Sequence, residues 1–468
     1  MTEPPARQPE GSDAARGDAH DSFVWTRLRD LGGVLQAWLR RGRRAWLTPR
    51  LWLRRAILWI GALAVAVAAI LFALGSARAI DLHRRAIAIH PWLTFVLAPL
   101  GLAAVAWTTR RFFPGSQGSG IPQTIAALQI GDEPTRARLL SVRIAAGKLA
   151  LTLIGLLSGA SVGREGPTVQ IGAAIMHSLG RLTRFSRVEA QRGLILAGGA
   201  AGVAAAFNTP LAGVVFAIEE MSRSFESRTS GTVLTAVIVA GIVSVWWLGD
   251  YTYFGRTSEM LREGEAWIAV LLCGVIGGFA GGLFSQILIA FSRGLPGTLG
   301  ALSRNRPVLF AALCGIALAA LGFASGGTTY GTGYEEAKRI LEGTGDLPAS
   351  YGVLKFAATL ISYLSGIPGG IFAPSLAVGA GLGWNLTDLA PYAPAGAVVV
   401  LGMVGYFAGV VQAPVTAFVI VVEMTDNHDM ILPLMATALI AAACSRIVCR
   451  RPVYKSLAEQ FVNRLQQP

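Results

Sequence analysis

Three short glycine-rich motifs hold the residues of this chain best suited to chemistry: Gly118–Pro122 (GSGIP), Gly163–Pro167 (GREGP) and Gly370–Pro374 (GIFAP). Each sets backbone with little side-chain bulk immediately before a helical stretch. The first amides of a helix have no internal partners and lie at the positive end of its macrodipole. Several such ends converging in a low-dielectric interior would hold an anion without a full positive charge beside it. A lysine ammonium at the same point would hold a halide too tightly for rapid turnover. Glu165, inside the second motif, puts a carboxylate among these amides. A charge at bilayer depth costs about 2.5–3.5 kcal/mol on insertion scales, so such a residue is paired or functional. Arg164 is the adjacent candidate partner, but successive residues of a helix do not face each other. Glu165 is therefore expected to titrate within an anion path, and Arg164 to be structural.

The elements that position these motifs come in two copies. Residues 148–173 and 355–380 align without a gap and agree at twelve of twenty-six positions, among them Lys148/Lys355, Gly163/Gly370, Pro167/Pro374 and Gly172/Gly379. A second pair comes next, residues 198–219 and 402–423, sharing Gly198/Gly402, Pro210/Pro414 and Glu219/Glu423. Repeated halves of this kind hold a substrate where glycine- and proline-interrupted helices from both copies meet. Function is expected at Gly163–Pro167 and Gly370–Pro374.

Composition sets the class. Apolar residues are 53% of the chain, charged residues 14%, and mean hydropathy is +0.54; a soluble protein would carry about a quarter charged residues. Apolar stretches at 56–76, 93–109, 229–248, 266–291, 308–324, 395–424 and 431–445 suit a ~30 Å hydrocarbon core. Shorter ones, broken by Gly and Pro, suit half-spanning helices that line a cavity. The net charge of +13 does not indicate nucleic acid, because the arginines cluster beside spans: Arg40–Arg55, Arg136–Arg143 and Arg293–Arg306. That is the positive-inside pattern, which predicts a multi-pass protein of the cell's inner (plasma) membrane with its N-terminus in the cytoplasm. The first twenty or so residues are polar and expected to be disordered, and no signal-peptide core precedes residue 55. Residues 23–50 read as an amphipathic basic helix on anionic lipid. The expected domains are a tail over 1–50, a first inverted repeat over 51–250 and a second over 266–466. Cys273, Cys314, Cys444 and Cys449 are scattered, and none of the five histidines has metal-ligand spacing. No metal or other cofactor is expected.

GSGIP at 118–122, GREGP at 163–167, GGIFAP at 369–374, the FNTPLAGVVFAIEEM stretch at 207–221 and a tyrosine at 454 together resemble the CLC family of chloride channels and chloride/proton antiporters, from about residue 51 to 466. The resemblance implies an all-α polytopic membrane protein, an inverted-repeat bundle of tilted and broken helices, of the bacterial type without C-terminal CBS domains. It implies a homodimer in lipid with one pathway for chloride and protons per subunit. Carried over, it places the hydroxyls of Ser119 and Tyr454 and the N–H groups of Ile371 and Phe372 at a central anion site. The amides around Gly163, Glu165 and Gly166 line an outer one. Glu165 becomes a gate that competes with the anion and carries the proton. Glu220 becomes the inner proton-transfer residue, whereas Glu219 reads as a solvated helix end. The stretch after GSGIP departs from the family's acidic pattern with Gln123, Thr124 and Ile125.

Two other functions compete with this reading. A passive channel would share the fold, and Glu165 with Glu220 favours an antiporter over it. Gly159–Gly163 also matches the G-x-S-x-G nucleophile elbow, which would make Ser161 the nucleophile of an intramembrane hydrolase with His177 or His428 as base. The repeat sets Pro368 opposite Ser161, which marks a backbone bend, so the protein is read as a transporter and not an enzyme.

Overall fold

The computed structural model describes residues 49–466, apart from 183–187, 223–226, 250–251, 256–258, 262–263, 295 and 345–346. The expected disordered tail and the amphipathic helix up to residue 48 lie outside the described residues. Contacts divide the chain after Ile57, and before that point only the opening of the first helix is described. The second unit, Leu58–Pro468, holds all three glycine-rich motifs.

The first half runs α1 (Pro49–Ile89), α2 (Thr94–Phe112), α3 (Ile121–Gln129), α4 (Glu133–Leu139), α5 (Val142–Leu157), α6 (Glu165–Leu182), α7 (Val188–Phe207), α8 (Pro210–Phe216), a π-helical turn over Ala217–Ser222, and α9 (Ser227–Leu248). The second runs α10 (Ile268–Arg293), α11 (Gly297–Asn305), α12 (Pro307–Ala324), α13 (Tyr334–Leu341), α14 (Tyr351–Leu364), α15 (Phe372–Asn385), α16 (Ala395–Val411), α17 (Pro414–Thr425), α18 (Ile431–Val448) and α19 (Val453–Gln466). Among the described residues, eight helical stretches are long and apolar enough to cross a membrane. One of them, Arg55–Ile89 at 35 residues, reaches about 50 Å and so must cross obliquely or project beyond the hydrocarbon.

The apolar stretch 395–424 is not one span, contrary to expectation. Gln412 turns into the left-handed region at φ 57°, and Pro414 then starts a new helix. Asn208, its repeat mate, does the same at φ 59° ahead of Pro210. The residue before a proline avoids helical backbone, so both breaks are written in the chain. Each repeat thus contributes a pair of shorter helices at this point.

Repeat-related glycines bring these helices together. A methyl group on Gly172 of α6 would strike the backbone of Gly198 in α7, and one on Gly379 of α15 would strike Gly402 in α16. The glycine stripe of α10 also works as a packing surface: Gly277 and Gly281 lie on the backbone of α16, Gly278 and Gly282 on that of α18. All four cysteines are free, and Cys273, Cys314 and Cys449 are buried.

Candidate functional site

The three glycine-rich motifs meet, laced by backbone hydrogen bonds. Gly118 N–H donates to Ile367 O and Gly369 N–H to Gly118 O, each at 3.0 Å. Gly163 and Gly370 exchange both of their bonds at 2.7 Å. Because Gly163 and Gly370 are repeat mates, a local two-fold axis passes between them. Gly166 closes the third side, since any side chain there would run into Ser119. One expectation fails here: Gly163 cannot offer its amide to an anion, because Gly370 O already accepts it. What Gly163 contributes is the absence of a Cβ, which leaves room for the carboxylate of Glu165.

Glu165 opens α6 and is fully buried. Its carboxylate interacts with its own backbone amide and with that of Ala373 in the first turn of α15. Tyr253 donates its phenol to Oε1 at 3.5 Å, and Arg164 Nε stands 4.0 Å from the same oxygen. The long Arg164 contact exists because Arg164 precedes the helix, where the rule about helical neighbours does not apply. Oε2 has no hydrogen-bond partner among the described residues. The side chain therefore lies as an anion would, on the starts of two repeat-related helices.

Ser119 and Tyr454 are fully buried, and neither hydroxyl has a hydrogen-bond partner among the described residues. They are close enough to interact, and Tyr454 also feels the charges of Glu165 and Glu220. Ile371 and Phe372 are buried at the start of α15, and among the described residues their N–H groups make no backbone hydrogen bond outside the helix. Glu220 sits in the π-helical turn, 3% exposed. A solvated helix end is thereby ruled out for Glu220.

The loop that carries Ser119 is held by Lys148, whose ammonium donates to Ser116 O at 2.8 Å and Gly118 O at 2.7 Å. Its charge is spent on backbone carbonyls. Lys355 grips the equivalent loop of the other repeat, at Thr329 O and Gly331 O, both 2.8 Å. Gln123 accepts from Gly120 N–H at 3.1 Å and donates to Gln117 O, so the departure from an acidic stretch braces the same loop.

Sequence reasoning missed two features. Phe372 is the hub of an aromatic cluster, with centroids of Phe407, Tyr454, Phe216 and Phe207 at 4.8, 5.9, 6.0 and 6.1 Å. Glu219, expected at a solvated end, instead caps the opposite repeat: its oxygens accept from Val415 N at 3.2 Å and Thr416 N at 2.6 Å. Glu423 returns the contact to Leu211 N at 3.0 Å and Ala212 N at 2.6 Å. Each of the two helices starts with a proline, which has no N–H, and its own N-cap residue makes no side-chain cap. The orphan amides take a carboxylate from the other half instead.

The nucleophile reading of Ser161 also fails. Its hydroxyl pairs with Thr359 Oγ1 at 3.0 Å, and its amide donates to Ser362 Oγ at 2.9 Å. His177 approaches Glu133 and exposed His428 approaches Asp426, so neither serves it. Ser161 ties one repeat to the other.

Fold and site define a polytopic helical membrane protein of two related halves whose broken helices meet around a buried carboxylate. A family model described as "Voltage gated chloride channel" matches residues 100–446. The chain is 33% identical over 393 residues to the H(+)/Cl(-) exchange transporter ClcA of Vibrio vulnificus, covering 79% of this chain and 80% of that protein. It is 32% identical over 412 residues to the protein of the same name from Cronobacter sakazakii, with 81% and 83% covered. Among solved structures, a slow cyanobacterial Cl-/H+ antiporter superposes with a TM-score of 0.74 at 26% identity, over 88% of this chain and 98% of that one. A CLC-type fluoride/proton antiporter shares the fold, with a TM-score of 0.72 at 22% identity over 87% and 98%. The chain belongs to the CLC family of voltage-gated chloride channels and their antiporter relatives.

Proposed function

We propose that the protein exchanges chloride for protons across the cell's inner membrane, with Glu165 as the gate. The observation that carries this is the pose of Glu165, a fully buried carboxylate lying on the first amides of α6 and α15 in the place an anion would take. Protonation cancels its charge and its hold on those amides, so the same event that loads a proton frees the anion path. The names of the relatives from Vibrio vulnificus and Cronobacter sakazakii support the pairing of chloride with protons.

In this reading chloride binds centrally between the hydroxyls of Ser119 and Tyr454 and the N–H groups of Ile371 and Phe372. The amides of Glu165 and Gly166 form the outer position. Glu220, buried and felt by Tyr454, passes the proton from the cytoplasmic side. The protein works as a homodimer in lipid with the N-terminus in the cytoplasm, and needs neither cofactor nor nucleic acid. The test is the reversal potential of purified protein in liposomes across a pH gradient. A potential displaced from the chloride equilibrium by the proton gradient is expected; one that ignores protons would establish a passive channel.

A further inference from the structure

Tyr253 lies in the segment between α9 and α10, 4% exposed, and its phenol is a donor to the Glu165 carboxylate. Its ring is boxed in on several sides. Centroids of Tyr334, Phe254 and Phe207 lie 4.7, 5.1 and 5.6 Å away, all in edge-on contact. The Arg164 guanidinium stands 5.9 Å from the ring centre. The neighbouring Phe254 anchors the segment by donating its N–H to Met424 O at 3.0 Å. Tyr253 also borders a cavity of about 340 Å³, lined among others by Asp81, Arg84, Arg164, Thr332 and Glu335. Glu165 is not part of that lining. Tyr253 and Arg164 thus touch both the cavity and the carboxylate.

We propose that Tyr253 is a positioning residue for the gate: its phenol holds the Glu165 carboxylate in the buried pose, and its ring shuts that carboxylate off from the cavity. This rests on the reading of Glu165 as the gate. The charged and polar groups that face Glu165 are Arg164 beside it, Tyr253, Tyr454 from α19 and the Ala373 amide from α15. Asp81, Arg84 and Glu335 border the cavity. A phenol bonds an ionised carboxylate more strongly than a protonated one. Removing the hydroxyl while keeping the ring therefore makes Glu165 easier to protonate.

The test is Tyr253→Phe in the full-length protein, alone and combined with Glu165→Gln, reconstituted in liposomes and assayed for exchange rate against pH. The bond is long at 3.5 Å, so the half-maximal pH of exchange should rise by about half a unit, threefold in proton concentration. In the Glu165→Gln background Tyr253→Phe should leave chloride flux and its pH profile unmoved. Tyr253→Ala, which removes the ring as well, should lower the number of protons moved per chloride. An unshifted midpoint in Tyr253→Phe, or an equal change in both backgrounds, would overturn the latch. Proton pumping that persists in Glu165→Gln alone would overturn the gate reading, and the latch with it.

Discussion

The crossed caps Glu219 and Glu423 can be tested by single and double conversion to glutamine. In each case a carboxylate accepts two N–H groups at a helix start, with the shorter bond at 2.6 Å. A hydrogen bond to a charged group is worth about 1.5–3 kcal/mol, and a lost N-cap costs about 0.5–2 kcal/mol. Glutamine keeps one acceptor oxygen and loses the charge, so each single substitution should cost about 1–2 kcal/mol. One kcal/mol moves a midpoint by about 2–4 °C in chains of 150–250 residues, and by less in longer ones. For 468 residues each single variant should melt about 1–2 °C lower. The two caps serve different helices, so the double variant should lose roughly the sum. The assay is thermal unfolding in detergent at a fixed scan rate, since membrane proteins of this size unfold irreversibly. Unchanged midpoints in both single variants would refute the capping argument. A double variant no worse than either single would show one shared contact in place of two.

The remaining outcomes concern transport. Glu165→Gln should abolish proton movement while chloride still flows, because an amide can vacate the path but cannot exchange protons; chloride-driven proton pumping in this variant would sink the gate. Glu220→Gln should likewise stop proton transport with chloride binding intact, and unchanged coupling would place the inner proton entry elsewhere. Ser119→Pro deletes the side-chain donor at the central position. A bond worth about 1.5–3 kcal/mol shifts anion preference tenfold or more, so nitrate should gain on chloride in anion-exchange flux and calorimetry. Tyr454→Phe keeps the plug and should be mild, whereas Tyr454→Ala should loosen coupling; indistinguishable selectivity in Ser119→Pro would move the central site away from this serine.

Much of the site was legible because glycine is hard to replace where backbones touch. Gly118, Gly163, Gly166 and Gly370 mark the places where the three motifs lace together. Gly172 and Gly379 mark where the flanking helices cross. The rest was illegible for physical reasons. A phenylalanine in a chain this apolar carries no signal, so Phe372 was read for its amide and not for its ring. Glu219 and the amides that donate to it lie 196 and 197 residues apart, beyond any local pattern. Hydropathy averages over a backbone turn, so the left-handed Gln412 disappeared inside one long apolar stretch. Tyr253 lies 88 residues from Glu165 in the chain, and only the folded chain brings the two together.

Gly163 and Gly370 hold the same place in their repeats and bond to each other, and the equivalence breaks two residues further on. Counting from those glycines, one half supplies Glu165 and the other Phe372. A pathway lined by true equivalents would look alike from either face of the membrane, and could not tell arrival from departure. Here one member of the pair is a carboxylic acid, able to gain or lose a proton, while its mate is an inert ring wedged among four other aromatics. The duplicated scaffold has no preferred direction, and this mismatched pair is where the molecule acquires an inside and an outside.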